Sequence, residues 1–157
     1  MVARLVDLGL TVATGESLTG GLVAASLAQV PGCSAVLRGG IVAYQRDVKA
    51  RLLDVPESTL AQGLVSEAVA SAMARGAAAQ LGADVGIGTT GVAGPEPHEG
   101  VPVGSVWIAV CVGQVVVARH LSLAGDREQI RCQTAAACFE LLTELLSSSE
   151  VGVRRRE

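Results

Sequence analysis

The stretch TVATGESLTGGLVAASLA (residues 11–28) constrains the fold more than any other part of the chain. An apolar, strand-like run stops at a small polar turn, GESLTGG, and apolar residues then resume at helical spacing. A strand that turns directly into a helix is the building unit of layered α/β proteins. The pattern returns further on. SEAVASAMARGAAAQLG (66–82) reads as a helix capped by Ser66, with Val69, Met73, Ala77 and Leu81 on one face and Gly82 as its stop. ADVGIGTTGVAGP (83–95) follows as a buried strand that runs into a second glycine-rich loop.

The remaining segments fall into the same scheme. LTVAT (10–14) is the first strand, a helix spans 18–30, and PGCS (31–34) ends it. RGGIVAYQ (38–45) is a second strand, a short helix lies near 46–53, and DVPESTLAQGLVS is a loop with one turn of helix. VGSVWIAVCV (103–112) and QVVVARHLSL (114–123) flank Gly113 as an antiparallel hairpin. A last helix starts near Asp126, its cap, and buries Ile130, Thr134, Cys138, Leu141 and Leu145. The order β-α-β-α-α-β-β-β-α predicts an α/β fold, a mixed sheet with helices on both faces. Half of the 157 residues are hydrophobic, yet there is one Trp, one Tyr and one Phe. The core is therefore expected to be Ala, Val and Leu packed closely against glycines, in a single domain over 1–147 followed by a flexible basic tail, 148–157.

A net charge of −3 gives no general pull towards nucleic acid. The closing VGVRRRE reads as a solvated end. No apolar run reaches the roughly 18–20 residues that span a bilayer. The opening MVARLVDLGLTVA, interrupted by Asp7 and without a basic start, does not read as a signal peptide. A soluble protein acting away from membranes is expected. Cys33, Cys111, Cys132 and Cys138 lack C-x-x-C spacing and read as reduced core residues, neither disulfide staples nor metal ligands.

Three loops lie where a doubly covered sheet places its ligands: GESLTGG, AYQRDVK and TTGVAGP. Ser17 sits where a helix cap belongs, but a hydroxyl beside free helix-start amides also suits a nucleophile or an anion cradle. Gly20 and Gly21 each cost a helix about 1 kcal/mol relative to Ala, a cost that a plain cap does not need. A nucleophilic serine requires a base. His98 and His120 have no clear carboxylate to orient them, and no metal-ligand spacing is present. Lys49 is the only lysine, leaving eleven of the twelve basic residues as Arg. A lysine can act as a base near neutrality if burial lowers its pKa by about 3 units, roughly 4 kcal/mol; otherwise Lys49 is an ordinary exposed side chain. Tyr44 ends the second strand and shares the same cleft or faces water. Thr90, Gly91 and Gly94 form either a tight turn or a backbone contact for a polar ligand. Arg127 and Arg131, four apart, are a solvated face or a fork for phosphate or carboxylate.

Taken in order, GESLTGG, VPGCSAVLRGGIVAYQRDVKARLLDVP, GLVSEAVASAMARGAAAQLGADVGIGTTGVAGP, VGSVWIAV and GDREQIRCQT resemble the CinA C-terminal domain family over about residues 4–146. The resemblance implies a three-layer α/β/α sandwich with a mixed sheet of about five strands, commonly a homodimer in the cytoplasm. It implies hydrolysis of the carboxamide of nicotinamide mononucleotide, as in the nicotinamide-nucleotide amidases of the family, with no metal or organic cofactor. Ser17 would be the nucleophile, Lys49 its base and Tyr44 an aid to proton transfer or orientation. Thr19, Gly20, Gly21, Thr90, Gly91 and Gly94 would line the substrate site, Arg131 would bind substrate by holding the phosphate or else support the catalytic groups, and amides at the helix start would hold the oxyanion. The run EPHEG after TGVAGP replaces the glycines common there. Many members also carry an N-terminal domain resembling molybdopterin-binding proteins, which is not expected within these residues. The alternative is a non-catalytic nucleotide-binding module that serves a separate pyrophosphatase partner.

Overall fold

The chain enters through a helix that the periodicity of the sequence does not mark: α1, Val2–Leu8, which buries Val2 and Leu5 and closes on Gly9 at φ 64°. Its N-cap, Met1, makes no side-chain bond to the helix start, so the usual entry signal is missing. The structure, a computed structural model, describes residues 1–147. The expected tail at 148–157 lies outside the described residues.

After α1 come β1 (Val12–Glu16), α2 (Leu22–Ala28), β2 (Leu37–Val42), α3 (Arg46–Leu53) and the single turn α4 (Glu57–Leu60). They are followed by α5 (Glu67–Leu81), β3 (Val85–Gly91), β4 (Ser105–Val112), β5 (Val115–Ser122) and α6 (Arg127–Ser147). The strands form one sheet in the order β2-β1-β3-β4-β5. β1 is parallel to both β2 and β3, whereas β3–β4 and β4–β5 are antiparallel. This is the expected mixed five-stranded sheet. Every residue of β1 is buried, as are Val85–Thr90 of β3, while the edge strands β2 and β5 keep partly exposed residues. Central strands covered on both faces read as continuous apolar runs.

Helices α1, α2 and α6 pack on one face with Leu5, Val23, Leu27, Ile130 and Leu142. Helices α3, α4 and α5 pack on the other with Leu53, Leu60, Val69 and Met73. The scarcity of aromatic residues has its counterpart here. A methyl added at Gly86 would overlap the Ala74 carbonyl of α5, and one at Gly88 the Ala70 carbonyl. The bare backbone of β3 thus lets an alanine-faced helix lie directly on the sheet, and bulky side chains have no room between them.

The end signals of two helices are as read. Ser66 Oγ accepts from Val69 N at 3.2 Å, and Gly82 closes α5 at φ 60°. Asp126 Oδ1 accepts from Gln129 N while Gln129 Oε1 accepts from Asp126 N, both at 2.8 Å, a reciprocal capping box at the head of α6. The expected stripe of Ile130, Thr134, Cys138, Leu141 and Leu145 is buried. The cysteines need a correction. All four are unpaired and Cys111 and Cys138 are buried, but Cys33 is half-buried and Cys132 is exposed. Position 132 falls between the buried Ile130 and Thr134 and so on the outer face of α6.

Candidate active site

The pleat of β1 decides where its last residues go. Alternate side chains face opposite sides of a sheet. Val12 faces the α2 layer, whereas Ala13 and Gly15 face the α3–α5 layer, where a methyl on Gly15 would meet Leu53 and Ala77. Glu16 therefore points towards α2, and Ser17, one residue on, towards α3.

Glu16 is fully buried. Its Oε2 accepts from Gly21 N and Val23 N, both at 3.0 Å, and its Oε1 accepts from Ala24 N and Thr14 Oγ1, both at 2.9 Å. This carboxylate, and not Ser17, caps the helix. Three sequence expectations change as a result. The helix begins at Leu22 instead of residue 18. Gly20 at φ 58° and Gly21 at φ 95° are required by a left-handed turn between strand and helix. The helix-start amides are already bonded, so they do not form an oxyanion hole. The sequence signal for Glu16 was an acidic residue five positions ahead of a glycine-opened helix, a spacing outside the usual capping patterns.

Ser17 is released to the other side. Its amide donates to Thr89 O at 3.1 Å, holding it in line with the sheet. Lys49, on α3, is 1% exposed. Its Nζ lies 2.9 Å from Ser17 Oγ, 2.9 Å from Ala43 O and 2.9 Å from Tyr44 O. Burial pushes its pKa from 10.5 down to about 8. As an ammonium, Lys49 donates to all three oxygens. As a neutral amine it keeps two N–H groups for the two carbonyls, and its lone pair is left towards the Ser17 hydroxyl. The two carbonyls hold the amine without a carboxylate that would keep it charged.

The pair opens onto a cavity of about 310 Å³ walled by Leu64, Val65, the segment Thr90–His98, Tyr44 and Arg127. Tyr44 is half-exposed. Its hydroxyl accepts from Arg127 at 2.7 Å, and the other terminal nitrogen of Arg127 donates to Gly94 O at 2.6 Å. The phenol is thus bonded to Arg127, while the backbone of Tyr44 serves Lys49.

Of the residues expected to bind substrate, Thr90, Gly91 and Gly94 line the cavity. The Thr90 hydroxyl is occupied, donating to Leu64 O at 2.7 Å. Thr19, Gly20, Gly21 and Arg131 lie outside the lining. Thr19 is fully buried, with its hydroxyl 2.9 Å from that of Thr89. Arg131 reaches back to the turn, donating from Nε to Leu18 O at 3.1 Å and from a terminal nitrogen to Thr19 O at 2.7 Å. It braces the loop that carries Ser17. Arg127 takes the cavity position instead, one turn earlier on α6. Glu96 and His98, not among the expected site residues, also line the cavity; their signal was the charged run EPHEG. His120 is far from this role, with Nε2 2.9 Å from Ser105 Oγ and its ring against Trp107. Among the described residues no group of three or more His, Cys, Asp or Glu side chains is placed to hold a metal. Among them, too, no helix is long and apolar enough to cross a membrane.

Comparison with known proteins agrees with this architecture. A CinA-like protein of Frankia casuarinae is 46% identical over 148 residues, 94% of this chain and 34% of its own. The chain spans about a third of the length of the curated relatives it matches. A CinA superfamily protein from Klebsiella pneumoniae superposes with a TM-score of 0.90 at 34% identity, covering 93% of each chain. The competence/damage inducible protein CihA from Agrobacterium tumefaciens superposes with a TM-score of 0.88 at 36% identity, covering 92% of this chain and 90% of its own. Residues 1–146 match the CinA C-terminal domain, and with the three-layer fold in agreement the chain belongs to that family.

Proposed function

We propose that this domain is an amidohydrolase that converts nicotinamide mononucleotide to nicotinate mononucleotide and ammonia, with Ser17 as nucleophile and Lys49 as its base. The observation that carries the reading is the 2.9 Å contact between Lys49 Nζ and Ser17 Oγ, made by a buried amine whose pKa burial has lowered to about 8. A serine paired with a base at hydrogen-bond distance, beside a cavity, is the arrangement that covalent acyl transfer requires.

In the proposed cycle, the Ser17 hydroxyl passes its proton to the Lys49 lone pair as Oγ bonds to the carboxamide carbon. The Leu18 amide, which donates to no described residue and adjoins the nucleophile, is left for the oxyanion. Collapse of the tetrahedral adduct breaks the C–N bond, and the Lys49 ammonium returns the proton to the departing nitrogen, which leaves as ammonia. Water, deprotonated by the now neutral Lys49, attacks the resulting ester, and the Lys49 ammonium returns that proton to Ser17 Oγ as the acyl–oxygen bond breaks, which frees the acid and restores both residues. Thr90, Gly91 and Gly94 form the wall against which the ring lies, and Arg127 has N–H groups to spare for the phosphate. A homodimer in the cytoplasm completes the proposal.

The test is ammonia release from nicotinamide mononucleotide by the wild-type chain, Ser17→Ala and Lys49→Met. Release by the wild type alone supports the reading. Undiminished release by either variant sinks it.

A further inference from the structure

The charged and titratable side chains lining the cavity are Tyr44, Lys49, Glu96, His98 and Arg127. Glu96 and Arg127 have opposite charges, yet they do not pair. The ion pairs among the described residues are Arg46–Glu57 and Arg119–Glu144. Arg127 instead spends its hydrogen bonds on two neutral oxygens, Tyr44 Oη and Gly94 O. Lys49 is committed to Ser17 Oγ and two carbonyls, which leaves Glu96 and Arg127 as the negative and the positive group of the cavity that a ligand can engage. Two such charges in one recess complement a ligand that carries both signs.

Tyr44 adds a second, independent element. It is the only tyrosine in the chain and the only aromatic ring other than His98 in the cavity lining. A ring of this size left 49% exposed in the same cavity as Ser17 is not held there by core packing. Its hydroxyl is tied to Arg127, which is itself tied to the Gly94 loop, so the phenol is braced at the cavity wall. A braced aromatic face attracts a planar cation.

From these observations, and resting on the proposed substrate class, we infer that the cavity selects a zwitterionic ligand whose planar ring is positively charged. Tyr44 and Glu96 read the cationic ring, and Arg127 holds the anionic end. The quaternary nitrogen of an N-substituted pyridinium carboxamide has this charge, and its reduced 1,4-dihydro form does not. Glu96 and Tyr44 are therefore specificity residues that distinguish the oxidised ring from the reduced one.

The experiment uses the full chain bearing Ser17→Ala, which holds ligand without acylation. Calorimetry compares nicotinamide mononucleotide with its 1,4-dihydro form, which carries the same phosphate on a neutral ring. The oxidised form is expected to bind about tenfold more tightly, from a ring–cation contact and one charge pair. Adding Glu96→Gln, on an exposed loop, or Tyr44→Leu brings the ratio towards one by weakening the oxidised form alone. Adding Arg127→Ala weakens both forms through the lost phosphate contact, and the oxidised form further because Tyr44 loses its brace. Equal affinity for the two forms, a ratio indifferent to Glu96→Gln, or no binding of either overturns the inference. Ammonia release by the wild-type chain judges the reaction separately. A cationic preference without release removes the amidase and keeps the selectivity, whereas release with equal affinities does the reverse.

Discussion

Glu16 and Ser17 are neighbours in the chain, and the pleat of β1 sends them to opposite faces of the sheet. Glu16 gathers the amides of Gly21, Val23 and Ala24 at the head of α2, while Ser17 meets Lys49 on α3. One residue organises the turn and the next is presented by it. The Ser17–Lys49 contact therefore depends on a carboxylate that does not line the cavity.

Glu16→Ala removes the acceptor for three helix-start amides and the Thr14 hydroxyl, of which the Val23 amide and the Thr14 hydroxyl are buried and the other two part-buried. Leaving such groups unpaired costs about 2–4 kcal/mol in total, allowing for partial relaxation of the turn. The expected result is a lower denaturant midpoint with an unchanged slope, read by circular dichroism. A midpoint equal to that of the wild type would show that the carboxylate is dispensable.

On the proposed mechanism Ser17→Ala and Lys49→Met should each lower ammonia release by about 10³-fold or more, because a nucleophile and its base act as one unit. The double variant should lose little beyond either single one. Multiplying losses in the double variant, measured by steady-state kinetics, would mean that the two residues act independently.

Lys49 is a base only when neutral, and its pKa of about 8 makes about one molecule in ten competent at pH 7. The rate constant kcat/KM should rise about tenfold per unit below pH 8 and level off above it. The linkage to stability has the same sign. With 10.5 as the unfolded value and about 8 as the folded one, the unfolded chain binds more protons between those limits. Lys49 therefore makes folding more favourable as the pH rises from about 8 to 10.5, and that contribution is lost on the way back down. A pH series of activity and of denaturant midpoints checks both, with Lys49→Met as the chain lacking the dependence.

Gly76 sits where α5 touches the end of α3, and a methyl there would overlap the Leu53 carbonyl. Because Leu53 and Lys49 share one face of the short α3, moving one moves the other. Gly76→Ala should cost about 1–3 kcal/mol of stability and lower kcat more than it raises KM. Wild-type kinetics in this variant would show that α3 tolerates displacement without disturbing the base.

Much of the fold could be read from the chain because its signals are local. The start and stop of α5 are written in Ser66 and Gly82, and the capping box of α6 in Asp126 and Gln129. The hairpin of β4 and β5 is written in Gly113 between two β-rich runs. Where the local signal was weak the reading failed. α1 has no capping side chain, and the turn before α2 reads as helix because its cap comes from the preceding strand. The site divides in the same way. The chain's single lysine stood out by its rarity. Arg127 and Arg131, a turn apart with the same chemistry, could not be told apart until their partners were in place.

Alternation, periodicity and caps act over a few residues, so the amino-acid order alone determined the strands, most of the helices and the layered α/β class. It also supplied a hydroxyl and a lone amine as candidates. Only the tertiary structure decided that these two meet across 32 positions. It also decided that the amine is buried enough to lose its proton near neutrality, and that Arg127 rather than Arg131 faces the cavity. Proximity and desolvation are properties of the packed whole: they arise when the glycine-lined sheet lets α5, and α3 upon it, close over the end of β1.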